Sequence, residues 1–216
     1  MKEIISSLDI GSSTIKLVVC EVYKNETNVL AVSEVKSKGV KKGIIVNPEE
    51  TIISLREVFS RCEDMLNIKI DKVLLTIPSY YAEFLMTDAK IDIVHENNLI
   101  NGDDIVRVLQ ACVYNKIPNN KELVNITPVE FKVNDKKVKD PKGIESTNLS
   151  CKALISLVPK KNVYTAVSLL ENIGVSIVDI NFGGVCDYYE FKNKELDSKN
   201  VSVINIGEEK TEVSIF

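Results

Sequence analysis

Gly11 lies between two stretches that favour strands, so the chain has to reverse there. Residues 2–8 and 14–23 read as two strands around a tight turn at Ile10–Ser13. Ile15, Leu17 and Val19 alternate with Lys16, Val18 and Cys20, which is the pattern of a largely buried hairpin. A glycine at the turn lets backbone approach a ligand closely. Followed by Ser12 and Ser13, it can present successive backbone N–H groups, and such a nest holds phosphate oxygens. The two hydroxyls add donors. Lys16 can bring a positive charge to phosphates, and Asp9 can hold the water shell of a Mg2+ ion. The same residues also suit an ordinary Asp-x-Gly hairpin turn that binds nothing.

A second hairpin is expected from Val201–Ile206 and Thr211–Phe216. Its core, Ile204-Asn205-Ile206-Gly207-Glu208-Glu209-Lys210-Thr211, has the order of Leu8-Asp9-Ile10-Gly11-Ser12-Ser13-Thr14: strand, polar residue, Ile, Gly, turn, strand. It is a short internal duplication.

Helix and strand signals alternate in between. Asn47-Pro48-Glu49-Glu50 opens a helix, with Asn47 as cap, Pro48 at the first helical position and Glu50 completing a capping-box pattern. Ile52, Leu55, Phe59, Cys62 and Leu66 follow at spacings of three and four, giving one buried face. Lys72–Ile77 is a short strand ended by Pro78. Residues 79–100 read as irregular, with short extended pieces. Asn101 and Asp104 start a second helix whose stripe is Ile105, Val108, Leu109, Cys112 and Val113. Leu123–Val133 reads as a strand. The five lysines of 132–142 read as an exposed loop, either a solvated connection or a docking point for an acidic partner. Leu149, Cys151, Ala153, Ile155 and Leu157 alternate strictly and give a strand. A helix marked by Val163, Ala166, Val167 and Leu170 ends at Gly174. Val175–Asn181 reads as a strand and 185–192 as a short helix.

The 216 residues suffice for one large domain or two small ones. With 27 basic and 31 acidic side chains the formal net charge is −4, which argues against general nucleic-acid binding. No apolar run approaches the roughly 20 residues of a membrane span. Met1 to Ser7 lack the charged region and apolar core of a secretory leader, so a cytoplasmic protein is expected. The five cysteines are scattered without metal-ligand spacing and read as free, mostly buried thiols. His95 is the single histidine and stands among Asp92, Glu96 and Asn97, where a surface role is expected rather than a catalytic triad or a zinc site.

The segment from Leu8 to Lys16 resembles the first phosphate hairpin of the actin, Hsp70 and hexokinase superfamily, and within it the FtsA family of bacterial cell-division proteins. Lys38 to Asn47 resembles the family segment entering the first helix, and Leu99 to Asp104 the helix start of the family's inserted subdomain. Ile117-Pro118, the run Ile126 to Val133, and Lys139-Asp140-Pro141-Lys142-Gly143 are similar to family motifs in the same order and spacing. The resemblance covers nearly the whole chain. It implies an α/β fold of the actin/Hsp70 (ribonuclease H-like) kind. Subdomain 1A would span 1–78 and 158–196, and an inserted α+β, SHS2-like subdomain 1C would span 79–157. Residues 197–216 would begin subdomain 2A, with the second domain mostly absent, as in an N-terminal portion.

The resemblance further implies ATP and Mg2+ as cofactors. Asp9, Gly11, Ser12, Ser13 and Lys16 would be the phosphate-side residues, with Asp9 reaching the metal through water and Gly207 and Thr211 as additions. The chain departs from the family at the second turn. Members usually carry Asp-Ile-Gly-Gly-Gly-Thr-Thr, whereas here Asn205 replaces the Asp and Glu208 and Glu209 replace two glycines. A Gln of the connecting segment aligns with Gly183. A weak or absent ATPase is therefore expected, with no catalytic residue assigned. The implied function is an adaptor that self-associates through 1C, recruits FtsZ and other divisome proteins, and sits on the cytoplasmic face of the membrane at the division site. FtsZ binding and a C-terminal membrane helix belong to parts of the family outside these residues. A PilM-like pilus-assembly protein and a sugar or carboxylate kinase of the same superfamily are the alternatives.

Overall fold

The computed structural model describes residues 2–24, 26–95, 97–196 and 199–216. Met1 of the stretch expected to lack a leader, Glu96 beside His95 and the boundary expected at 197 lie outside them. The chain divides into two compact units, one made of Met1–Tyr80 with Lys161–Phe216 and the other of Tyr81–Lys160.

The first unit begins with three antiparallel strands, β1 (Glu3–Ile10), β2 (Thr14–Tyr23) and β3 (Glu26–Lys36). Leu8, Ile15, Leu17 and Val19 are wholly buried, as the alternation predicts. A small hairpin of β4 (Val40–Lys41) and β5 (Ile44–Ile45) leads into α1 (Pro48–Leu66). Asn47 caps α1 by accepting the Glu50 N–H at 3.4 Å, and Pro48 takes the position where a missing N–H costs nothing. The buried face of α1 is rotated from the expected stripe. It consists of Thr51, Ser54, Leu55, Val58, Phe59 and Cys62, while Ile52 and Leu66 are half-buried. Thr51 and Ser54 donate to the carbonyls of Lys38 and Lys36 at 3.0 and 3.1 Å, so two hydroxyls sit inside the helix–sheet seam without loss of hydrogen bonds. Strand β6 (Lys72–Ile77) then pairs parallel with β1.

The second unit carries β7 (Glu83–Asp92), α2 (Gly102–Val113), β8 (Lys121–Val133), β9 (Lys136–Val138) and β10 (Asn148–Pro159). Its antiparallel sheet has the order β7-β10-β8-β9. Val108 and Cys112 of α2 are buried against Leu149, Cys151 and Ala153 of β10, with Ile105 and Leu109 partly buried beside them. The start of α2 is a full capping box between Asn101 and Asp104. Asp104 is wholly buried and also meets Arg107 at 3.0 Å and His95 at 2.8 Å. Burial pushes its carboxyl up, but the Asn101 N–H, His95 and Arg107 outweigh that and hold it below the usual range. His95 is thus a partner of a buried carboxylate rather than a bystander at the surface.

Two expectations are corrected, and one strand stands where none was expected. Residues 26–36 form a strand that no pattern announces. The stretch 79–100, expected as irregular, contains the ten-residue β7. The expected loop 132–142 contains β9, which closes a hairpin on β8.

The chain returns to the first unit with α3 (Lys160–Asn172), closed by Gly174 at φ 81°, then β11 (Ser176–Phe182), α4 (Gly183–Phe191), and the hairpin β12 (Ser202–Ile206) and β13 (Thr211–Ile215). Strand β11 lies parallel to β6, so the five-stranded sheet runs β3-β2-β1-β6-β11: a meander extended by two parallel crossovers. The β12–β13 pair is a separate sheet packed on α4. All five thiols are free: Cys62, Cys112 and Cys151 are buried, Cys20 is half-buried and Cys186 is exposed. Burial, with Cys112 beside it, pushes the Cys151 thiol up to about 12, which makes it an inert nucleophile at neutral pH.

Candidate functional site

Two turns of the first unit share one backbone design. In the first, the Gly11 N–H donates to the Thr14 carbonyl at 3.0 Å; in the second, the Gly207 N–H donates to the Lys210 carbonyl at 2.9 Å. Gly11 is required sterically, since a Cβ there would stand 2.8 Å from the Thr14 oxygen. The first turn is held by the sheet on both sides: Asp9 pairs with Lys16 across β1 and β2, and with Thr76 across to β6. The Thr76 hydroxyl donates to Asp9 Oδ1 at 2.9 Å and fixes that carboxylate.

A cleft of about 470 Å³ opens between the turns. Asp9, Gly11, Ser12, Ser13, Lys16 and Gly207 line it, so six of the seven residues singled out in the sequence come together. Thr211 does not line it; it is the first residue of β13, paired with Ile206. The structure adds Glu34, Gly43, Lys210 and Glu212, which nothing in the sequence singled out.

The donors are concentrated on the first turn. Among the described residues the Ser12 and Ser13 amides make no hydrogen bond of their own, and the Ser12 hydroxyl accepts the Gly43 N–H at 2.9 Å. Lys16 stands beside Asp9. This donor set, with a glycine whose Cβ the turn cannot hold, fits a phosphate group. The second turn does not: Glu208 and Glu209 stand where donors are needed, and Lys210 is engaged with Glu212 at 2.7 Å.

Five carboxylates and two lysines line the cleft, so its field is negative. Burial pushes Glu212 up, but hydrogen bonds from Lys210 and Ser79 outweigh it and hold the carboxyl below its ordinary range. Asp187 of α4 moves the other way: burial, then the charges of Asp9 and Glu212, push it up. Asp187 is legible only once α4 is seen to face the first turn. Among the described residues no group of three or more His, Cys, Asp or Glu could hold a metal ion.

Fold and site define a class. Residues 83–156 match the family model of the SHS2 domain inserted in FtsA. The chain also matches a chain from a solved PilM–PilN type IV pilus biogenesis complex, with a TM-score of 0.63 at 15% identity over 98% of this chain and 57% of that one. The protein has the actin-like, PilM-type α/β fold with an inserted SHS2 domain.

The relatives in sequence are more specific. Cell division protein FtsA of Bacillus subtilis (strain 168) is 27% identical over 215 residues, covering 99% of this chain and 49% of the relative. The FtsA of Streptococcus pneumoniae is 26% identical over 97% of this chain and 46% of its own, and that of Enterococcus hirae 28% identical over 80% and 39%. The chain is FtsA-like along nearly all of its length, as the sequence resemblance implied, and it spans about half the length of the curated relatives it matches. No helix among the described residues is long and apolar enough to cross a membrane.

Proposed function

We propose that this chain is an FtsA-like cell-division adaptor whose first unit binds ATP, as its Mg2+ complex, in the cleft between the two turns. The observation that supports the nucleotide part is the cleft itself, which gathers Asp9, Gly11, Ser12, Ser13 and Lys16 with a second glycine turn from nearly 200 residues further on. The Ser12 and Ser13 amides and hydroxyls and the Lys16 ammonium donate to phosphate oxygens. Asp9, held by Thr76, accepts from water around the metal. Bound Mg2+ spreads the negative charge of the phosphates. Glu208 and Glu209 oppose that charge, so binding is weak and no catalytic residue is assigned. Calorimetry with Mg-ATP tests this: a Kd weaker than roughly 1 µM is expected, and sub-micromolar binding would overturn the role given to the glutamates.

The adaptor part rests on the likeness to the FtsA proteins. Self-association is assigned to the Tyr81–Lys160 unit. Recruitment of FtsZ and other divisome proteins, and peripheral attachment to the cytoplasmic face of the membrane at the septum, belong to a protein of the relatives' full length. Co-sedimentation separates these assignments. The 216 residues alone are expected to stay in the supernatant with anionic vesicles and with FtsZ. Pelleting with vesicles alone would sink the assignment of membrane binding to other segments. The likeness to PilM is one of fold and carries no function.

A further inference from the structure

The tip of the β4–β5 hairpin reaches both turns. Its two central residues are left-handed, Lys42 at φ 50° and Gly43 at φ 74°, the conformation of a type I′ turn. Glycine adopts it freely, whereas a lysine there is strained. The N–H groups of these two residues are not used within the hairpin. Gly43 N–H donates to Ser12 Oγ at 2.9 Å, and Lys42 N–H donates to Glu209 Oε2 at 2.7 Å. The second contact joins residues 167 apart in the chain. Among the described residues Glu208, with the same charge and in the same turn, makes no such contact.

We propose that the Lys42 N–H is a third side of the phosphate site, and that Glu209 occupies it as a built-in anion. The inference rests on the nucleotide reading above. A backbone N–H is the kind of donor that the Ser12–Ser13 turn offers, and a carboxylate is an acceptor of the same sign as a phosphate. One anion position is therefore filled from within, beside the Ser12 hydroxyl. The contact lies in water, because Glu209 is exposed, so it opens readily. The terminal phosphates of a nucleotide enter when Glu209 swings out, and then take over the Lys42 amide. Glu209 acts as a latch, and Glu208 adds only charge.

The test compares Glu209→Ala with Glu208→Ala, which remove equal charge from the same turn. Mg-ATP binding is measured by calorimetry, and the Lys42 amide is followed by NMR in the 15N-labelled chain without nucleotide. Glu209→Ala is expected to bind Mg-ATP about tenfold more tightly than the parent, equivalent to about 1.4 kcal/mol, and Glu208→Ala less than about threefold. The Lys42 amide resonance should move in Glu209→Ala and stay in Glu208→Ala. An equal gain in both variants overturns the latch and leaves the nucleotide reading standing, since charge alone then explains it. A Lys42 amide unmoved by Glu209→Ala overturns the latch as well. Absence of Mg-ATP binding in the parent and in both variants overturns the nucleotide reading and the latch with it.

Discussion

Gly11–Thr14 and Gly207–Lys210 are one turn in two settings. The glycine amide closes each on the carbonyl three residues later, at nearly the same distance. The supports differ. The first turn joins two strands of a five-stranded sheet, with Leu8, Ile15 and Leu17 wholly buried beneath it. The second joins an isolated pair of strands whose Ile204, Ile206, Val213 and Ile215 are exposed. A two-stranded hairpin alone is marginal in water, and this one leans on α4. Tyr188 stacks on Phe216 with ring centres 4.1 Å apart, and Gly184 packs against Ser214. A glycine therefore sets the shape of a turn, while the elements beneath it set its rigidity. Chemistry is a third variable, since serines on one turn and glutamates on the other give opposite responses to an anion.

The largest effect should come from adding one carbon to the first turn. In Gly11→Ala the new Cβ meets the Thr14 carbonyl at 2.8 Å, a backbone atom that the sheet holds in place. Overpacking of this kind is expected to cost about 3 kcal/mol, read in urea denaturation, and to abolish Mg-ATP binding. Gly207→Ala is the matched experiment. Its Cβ would stand 3.1 Å from the Lys210 carbonyl in a less restrained hairpin, and a cost under about 1 kcal/mol is expected. Equal costs would mean that the sheet does not stiffen the first turn.

Next is the support of the second turn. Gly184 is buried in α4, and a Cβ there would collide with the Ser214 side chain. Gly184→Ala should lift β12–β13 from α4 at a cost of about 2 kcal/mol. Hydrogen exchange should rise over 202–215 while β1 and β2 stay protected. Uniform loss of protection across the unit would show that the hairpin is integral to the main sheet after all. Smaller still is the contribution of Lys16 to binding. Lys16→Ala should weaken Mg-ATP by about 1.5 kcal/mol, the low end for a charge-assisted hydrogen bond because the side chain is exposed. Unchanged affinity in calorimetry would remove Lys16 from the site.

The starts of α1 and α2 were legible because caps are local chemistry: Asn47 with Pro48, and Asn101 with Asp104. Strand β10 was legible because one face is apolar and the other is not. Strand β3 was hidden because its buried face is Ala31, Ser33 and Val35 while Leu30 and Val32 point outward, which inverts the expected contrast. Strand β7 was hidden for a related reason: Phe84, Leu85 and Met86 are all exposed and adjacent, so no alternation is visible. The glycine turns of the site could be read, since each is a motif in one short segment. Lys42, Gly43 and Asp187 could not, because their roles come from elements that meet only in the fold. Thr211 shows the converse, a motif residue that the strand ladder places outside the cleft lining.

The smallest effect falls on Asp187, where the two hairpins bring their charges to bear on one group. Asp187 faces Asp9 from β1 and Glu212 from β13, and burial plus these two charges push its carboxyl above the ordinary range. A carboxyl raised in the folded state favours folding while it is protonated, and that contribution is lost as pH rises through its folded pKa. Once ionised, Asp187 opposes the fold. Asp187→Asn keeps the shape and removes the charge, so it should raise stability at pH 7. The gain should fade as pH falls into the ordinary carboxylate range, where the parent is protonated too. Glu212 works in the opposite sense: its carboxyl is held low, so its own contribution is present at neutral pH and lost on acidification. Urea midpoints of parent and Asp187→Asn, measured from pH 3 to 8, separate the two. Curves that converge at low pH support a charge meeting between the hairpins. A constant offset at every pH would mean that the substitution acts through packing of α4, and that the two turns do not share an electrostatic field.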